Sequence, residues 1–320
     1  LLQRYQELSI QDAERYFSNN ATRIEISCVA CGSYENDQSF HKHGFGYCRC
    51  KVCGTLYQNP RPKQAEFEAF YRNSESSNYW AEIFFPAVAE ARREKIFRPR
   101  VERLASLCLA SEIRVDRLID VGAGYGIFLD EWRKQFPAAK LVAVEPSAVL
   151  AEECRVKGFE VSENIAEHVS GYDNFADLVV CFEVLEHVYE PLSFLQTLAR
   201  LARPGGIVFV STLCIDGFDL QTLWDRSKQI FPPHHINFLS VDGFYRLFAA
   251  AGLKNVKVLT PGKLDVDIVR NAIREQPKVL EENRFLQHLL KDALLSNAFQ
   301  EFLAQNCLSS HAWIIGQVPS

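Results

Sequence analysis

The 320-residue chain is 48% hydrophobic and 23% charged, with a formal net charge of −5, the balance of an ordinary globular protein. That charge excludes a general pull toward nucleic acid or an anionic membrane surface, and no apolar run approaches the roughly 20 residues needed to span a bilayer. The opening Leu1-Leu-Gln-Arg-Tyr-Gln-Glu7 is too polar for a secretory signal, which predicts a cytoplasmic protein.

Residues 1–23 read as a short amphipathic helical lead. Residues 24–62 are rich in Cys, Gly, His and Tyr and read as a small loop-rich module closed by Asn59-Pro-Arg-Pro62. Within it, Cys28-Val-Ala-Cys31 and Cys50-Lys-Val-Cys53 form two C-x2-C knuckles with 18 residues between them, the spacing of a four-cysteine zinc site. Four thiolates complete a tetrahedron and leave no open position, so the expected Zn²⁺ is structural. Gly32 and Gly54 follow the knuckles, where the turn needs a residue that accepts positive φ. Cys48 is a fifth thiol that could replace Cys50 only by breaking the spacing, and His41 and His43 are outside candidates. Lys42, Arg49, Lys51, Arg61 and Lys63 lie in a stretch without acidic residues. They read either as a docking surface for a phosphate-bearing substrate or as compensation for the thiolates. Cys108, Cys154, Cys181, Cys214 and Cys307 sit in apolar contexts and read as small buried residues.

Residues 63–115 read as a helical linker or lid, with Phe67, Phe70, Tyr71, Val88, Ile96 and Val101 at helical spacing. From residue 116 strands and helices alternate. The expected strands are Leu118–Val121, Leu141–Val144, Asp177–Phe182 and Ile207–Val210, and the expected helices are 126–136, 147–157 and 191–202. Such alternation predicts a parallel sheet with right-handed crossovers. Val256–Leu259 and Ala312–Ile315 are two further β-rich runs, flanking a helical insertion at about 262–308.

Asp120-Val-Gly-Ala-Gly-Tyr-Gly126 follows a strand and opens a helix, where glycines let the backbone approach a ligand. Ile127 stands where a dinucleotide fingerprint wants its third glycine, which argues against an NAD-dependent oxidoreductase. Glu145 ends the next strand, 25 residues after Asp120, where a carboxylate can accept from ribose hydroxyls.

D-x-G-x-G-x-G at 120–126, Glu145-Pro-Ser147, Phe182-Glu-Val-Leu-Glu-His187 and Pro204-Gly-Gly206 before a strand together resemble the class I S-adenosylmethionine methyltransferases. The resemblance implies a Rossmann-like, seven-stranded, mostly parallel sheet with helices on both faces, plus the zinc module and helical additions. It implies that Gly122, Ala123, Gly124 and Tyr125 line the methionine part of the cofactor and that Glu145 holds the ribose. Asp120, Pro146 and Ser147 complete the cofactor loop edges, and Phe182 and Glu183 sit beside the sulfonium. The double knuckle followed by G-x-x-Y-x-N-P-R-P, with Phe231-Pro-Pro-His-His-Ile-Asn-Phe238, is similar to zinc-containing methyltransferases of sugar and polysaccharide pathways, among them the deoxysugar C-methyltransferases. Those enzymes carry a further C-terminal α/β domain, which is not expected within these 320 residues.

Methyl transfer from a sulfonium leaves the protein to align the acceptor and remove a proton, work suited to a histidine at neutral pH. The expected base is His235, with His234 beside it; the other reading of this loop is a cap for the helix near Ser240. His187 is equally read as a hydrogen-bonding partner of the helix it opens. Glu186 is expected to be solvated or to orient His187. Tyr79-Trp80 is expected in a lid, with Tyr79 near the site, and His311 is without an assigned role. The acceptor expected is a sugar or sugar nucleotide. The alternatives are an RNA methyltransferase gripping RNA through the zinc module, disfavoured by the acidic charge, and an inactive methyltransferase-like scaffold.

Overall fold

Leu8, Ala13 and Phe17 recur along one face of Leu2–Phe17, and this face is buried in helix α1. The structure, a computed structural model, describes residues 1–19, 22–110, 113–281 and 283–320. Residues 20–21 of the expected lead, 111–112 of the expected linker and 282 of the expected insertion lie outside the described residues.

The expected loop-rich module is more regular than its composition suggested. β1 (Asn36–Lys42), β2 (Phe45–Cys50) and β3 (Leu56–Gln58) form an antiparallel meander. β2 is buried at five of its six positions because Phe17 of α1 packs on Phe45 at 5.6 Å. A strand covered on both sides loses the alternating pattern by which it would be recognised. After α2 (Gln64–Asn73) comes one continuous helical run: α3 (Glu75–Tyr79), α4 (Phe85–Arg92) and α5 (Arg98–Ala110), joined by π-helical turns at Trp80–Phe84 and Arg93–Phe97. Such turns are frequent at functional sites.

The α/β part follows as β4 (Arg117–Val121), α6 (Ile127–Gln135), β5 (Lys140–Val144), α7 (Ala148–Val156), β6 (Glu160–Ser162), β7 (Ala176–Phe182), α8 (Pro191–Leu201) and β8 (Ala202–Leu213). Then come α9 (Phe218–Leu223), β9 (Asn237–Phe238), α10 (Val241–Ala250), β10 (Lys254–Leu259), α11 (Asp265–Glu275), α12 (Arg284–Lys291), α13 (Ala293–Gln305) and β11 (His311–Gln317). Seven strands make one sheet in the order β10-β11-β8-β7-β4-β5-β6, in which β11 runs antiparallel to β8 and β10. β7, Ala-Asp-Leu-Val-Val-Cys-Phe, is buried along its whole length, as expected for a central parallel strand covered on both faces. One apolar cluster joins Leu195, Leu198, Phe244 and Leu247 to one face of the sheet, and another joins Leu104, Phe128 and Trp132 to the other. The chain leaves β4 toward β5 and β6, then returns to β7 on the opposite side. Adjacent carboxyl ends of β4 and β7 therefore flank the switch point where α/β sheets open a crevice.

A second sheet has the order β1-β2-β3-β9. Leu56 and Tyr57 of β3 pair with Phe238 and Asn237 of β9, so the cysteine module shares a sheet with the segment that follows the paired histidines. Among the described residues no helix is long and apolar enough to cross a membrane.

Candidate active site

The β4–α6 loop takes positive φ at Gly122 (78°) and Gly124 (54°). A Cβ on Gly122 would come within 2.6 Å of Val184 Cγ2, whereas one on Gly124 would meet nothing within 4 Å. Gly122 thus permits close packing against the β7 loop, and Gly124 leaves open space above the backbone. Ala123 is half-buried beside them. At the end of β5, Glu145 is buried, with Oε2 accepting from Gly124 N at 2.8 Å and Oε1 from Ser147 N at 3.0 Å. Pro146 is exposed on the rim. Asp120 is buried with Oδ1 unpartnered among the described residues; burial, and then the charge of Glu145, push its carboxyl up to about 8. The donor set and open backbone fit an adenosine-bearing ligand: carboxylates for ribose hydroxyls and glycine backbone for close approach. Tyr125 stacks on Phe85 of α4 at 4.8 Å and its hydroxyl donates to the Ala81 carbonyl, so the π turn and α4 close over the loop.

Beyond β7, Phe182 packs against Phe128 at 4.5 Å and lies under the Arg100 guanidinium. Glu183 has φ 55°, a strained position for a residue with a side chain. Its Oε1 accepts from Arg100 Nη2 at 3.0 Å and Ser211 Oγ at 2.6 Å, with His311 Nδ1 3.7 Å away. Burial would raise its carboxyl, but His311, Arg100, the Ser211 bond and Arg92 hold it down at about 2. Arg100 gave no signal in the sequence, lying 83 positions from its partner.

Glu186, His187 and His235 converge: one ligand-capable atom from each lies within 4.8 Å of the others. Of the two expectations for Glu186, solvated or orienting His187, the first fails: it is buried, because the chain after β7 turns back as a 3₁₀ segment over β8. There its Oε2 accepts from Thr212 Oγ1 at 2.7 Å, and burial, with Glu183 nearby, raises its carboxyl to about 7. His187 Nδ1 meets the His234 carbonyl at 2.9 Å, and His235 Nδ1 meets the Gln229 carbonyl at 2.5 Å. Burial lowers both rings to about 4. His187 is tied to the His234 loop, not to a helix of its own.

A methyltransferase-domain family profile matches residues 88–258, more than half of the chain. The chain belongs to this methyltransferase family. Over 104 residues it is 33% identical to a ubiquinone biosynthesis O-methyltransferase of Vibrio cholerae, a match covering 30% of this chain and 42% of that enzyme. The corresponding enzyme of Xanthomonas oryzae pv. oryzae is 33% identical over 104 residues and covered to 43%. The chain therefore matches less than half the length of these curated relatives. A SAM-dependent methyltransferase of known structure from Archaeoglobus fulgidus shares the fold, with a TM-score of 0.50 at 17% identity over 74% of this chain and all of that one.

In this member of the methyltransferase family the two adjacent histidines differ. Ser9 Oγ donates to the Tyr5 carbonyl at 2.9 Å, and His234 Nε2 lies 3.3 Å from both Ser9 Oγ and Tyr5 Oη. His234 is thereby committed to α1, inside a cage of Tyr5, Phe70 and Phe231. His235 Nδ1 contacts the Gln229 carbonyl, and among the described residues no hydrogen bond reaches its Nε2. Ser240 itself caps α10, accepting from Gly243 N, so neither histidine serves as that cap. Tyr79 does not join the cluster; its hydroxyl donates to the Leu1 carbonyl, and Trp80 and Phe84 instead reach the aromatic cage through Tyr5.

Cys28, Cys31, Cys50 and Cys53 of the methyltransferase form one cluster, with Sγ–Sγ distances of 3.6 Å for Cys28–Cys53 and 3.5 Å for Cys31–Cys50. Four sulfurs about 2.3 Å from one zinc ion would stand about 3.8 Å apart, so the set fits the ion. Cys48 Sγ instead contacts Gln38 and Asn59. The basic residues do not form one surface. Arg61 is buried, donating to the Tyr189 carbonyl and Asn237 Oδ1, Lys42 donates to the Ser227 carbonyl, and Lys51 pairs with Asp37.

Proposed function

We propose that the methyltransferase acts on a hydroxyl of a small sugar-type acceptor, a nucleotide-linked sugar or a polysaccharide precursor. The observation that carries this is the convergence of Glu186, His187 and His235 immediately after Phe182 and Glu183, at the sheet edge where the glycine loop and Glu145 also end. S-adenosylmethionine, when bound, supplies an already activated methyl group, so the chain has only to align the acceptor and dispose of its proton. Gly122, Ala123, Gly124 and Tyr125 are assigned to the methionine part, Glu145 to the ribose with Asp120 behind it, and Pro146 and Ser147 to the adenosine rim. Phe182 and Glu183 are assigned to the sulfonium end, where the ionised Glu183 complements positive charge. His235 meets the acceptor hydroxyl, directly as base or through an ion as argued below. The four cysteines are assigned to a structural Zn²⁺, which would fix the sheet that carries His235.

The sugar class is supported by the cysteine module and histidine loop read together. A second reading, a flat phenolic acceptor, is favoured by the rings of Tyr5, Trp80, Phe84 and Phe231 gathered beside the histidines. Calorimetry with S-adenosylmethionine and with NAD tests the cofactor side: saturable binding of the first and none of the second is expected. Turnover on panels of sugar nucleotides and of catechols then tests the acceptor. Methylation of catechols alone overturns the sugar reading, and unchanged turnover in His235→Ala overturns the role of His235.

A further inference from the structure

Glu186, His187 and His235 present an unusual set of lone pairs. Backbone carbonyls only accept, so the 2.9 Å and 2.5 Å contacts to the His234 and Gln229 carbonyls fix a proton on Nδ1 of both rings. In the neutral rings both Nε2 atoms are then bare acceptors. Glu186 Oε2 already accepts from Thr212 Oγ1. One ligand-capable atom from each of the three residues lies within 4.8 Å of the others, and among the described residues no hydrogen bond joins any two of them. Gathering two bare imidazole nitrogens and a carboxyl group in a half-buried site is unfavourable unless something positive sits between them.

The surroundings hold these groups in place. Metal-ligating histidines characteristically donate their second ring N–H to a carbonyl or carboxylate, which fixes tautomer and orientation; both rings here do so. The His235 carbonyl is held by Tyr47 Oη at 2.7 Å and Ile236 N donates to the Glu186 carbonyl at 2.9 Å. Asn237 Nδ2 donates to the Val188 carbonyl at 2.7 Å, locking the two loops together. Ligands about 2.0–2.2 Å from one ion stand about 3–4 Å apart, so only a small inward rotation of side chains is needed.

We propose that Glu186, His187 and His235 form a second metal site, separate from the four-cysteine cluster, that takes a divalent transition cation. Two imidazoles and one carboxylate suit iron, cobalt, nickel or zinc rather than magnesium or calcium. Three protein ligands leave coordination positions open, the arrangement of a catalytic rather than a structural site. A hydroxyl bound at an open position would lose its proton more readily, the proton passing to solvent as the methyl moves from the sulfonium sulfur to the oxygen, and His235 would then act through the ion as a ligand. The inference rests on the reading of this crevice as the acceptor site.

The test is a titration of Co²⁺ into the full chain with its cysteine cluster loaded with zinc. One equivalent is expected to bind with weak visible ligand-field bands and without the intense near-ultraviolet thiolate charge transfer. Glu186→Gln and His187→Gln should each weaken uptake more than about 10-fold, and Thr212→Val, which frees Glu186 without removing a ligand, by about 10–100-fold. S-adenosylmethionine binding on the same samples verifies that the variants are folded. No Co²⁺ uptake by the wild type, uptake with thiolate bands, or uptake unchanged in Glu186→Gln overturns the site. Cobalt refusal with intact S-adenosylmethionine binding sinks this inference alone, whereas failure of the wild type to bind S-adenosylmethionine sinks the cofactor assignment of the crevice.

Discussion

The hydroxyl of Tyr47, on a strand of the cysteine module, donates to the backbone carbonyl of His235 at 2.7 Å. Around that bond the two segments are joined along their length. Gln58 N donates to the Ile236 carbonyl at 2.8 Å, Leu56 and Tyr57 pair with Phe238 and Asn237, and the buried Arg61 bridges Asn237 and Tyr189. The module is therefore part of the wall that holds the histidine loop, away from the glycine loop.

Tyr47→Phe isolates this coupling. The variant keeps the ring packing but leaves a buried carbonyl without its donor, a loss of about 1–3 kcal/mol. Urea denaturation should show a destabilisation of that size. Turnover should fall while the dissociation constant for S-adenosylmethionine stays within about 2-fold, because the glycine loop is untouched. A parallel loss of cofactor affinity would show that the two sides of the crevice are not separable.

The cysteine assignment separates Cys50 from Cys48. Cys50 Sγ lies 3.5 Å from Cys31 Sγ, whereas Cys48 Sγ contacts only Gln38 and Asn59 among the neighbours described above. Cys50→Ser should abolish tightly bound zinc, with loss of much of the folding energy of the module. Cys48→Ser should retain about one zinc per chain. Elemental analysis of the purified variants decides, and the opposite pattern would exchange the two residues.

The α/β half was legible because its signals are local. Continuous apolar runs such as Ala176–Phe182, and glycines between a strand and a helix, are short-range consequences of burial on both faces and of close backbone approach. The two C-x2-C knuckles were legible for the same reason. What escaped was built by long-range contacts. β1–β3 were hidden because α1 covers β2 and erases its alternation. Glu186 read as a solvated helix residue or an orienter of His187, and the solvated reading fails because a return of the chain sets it over Thr212. Arg100 and His311 gather on Glu183 from opposite ends of the sequence, and the asymmetry between His234 and His235 depends on Ser9, 225 residues away.

Gly124 offers a test of the cofactor side. Its φ is 54°, and a Cβ there meets nothing within 4 Å, so a side chain would project into the open space above the loop. Gly124→Val combines left-handed strain of about 1–2 kcal/mol with obstruction of that space. Calorimetry should show S-adenosylmethionine affinity lowered more than about 100-fold (about 2.7 kcal/mol), with a folded chain by circular dichroism. Retained affinity would move the cofactor away from this loop.

Asp120 predicts a dependence of stability on pH. Its carboxyl is raised from 3.8 to about 8, first by burial and then by the charge of Glu145, and its Oδ1 has no partner among the described residues. A raised acid binds its proton more tightly in the folded chain than in the unfolded one. Below about pH 4 both states hold the proton and the contribution is at its most favourable. Between about pH 4 and pH 8 the folded chain retains a proton that the unfolded chain has released, so this group's contribution falls as pH rises. Above about pH 8 both states are ionised and the dependence ends. Asp120→Asn removes the titration while keeping the size and one acceptor oxygen. Urea midpoints measured from pH 5 to pH 8.5 should fall less steeply for the variant than for the wild type, with the difference between the two growing in the variant's favour as pH rises. Parallel slopes would mean that Asp120 finds a cation or donor that keeps it ionised throughout.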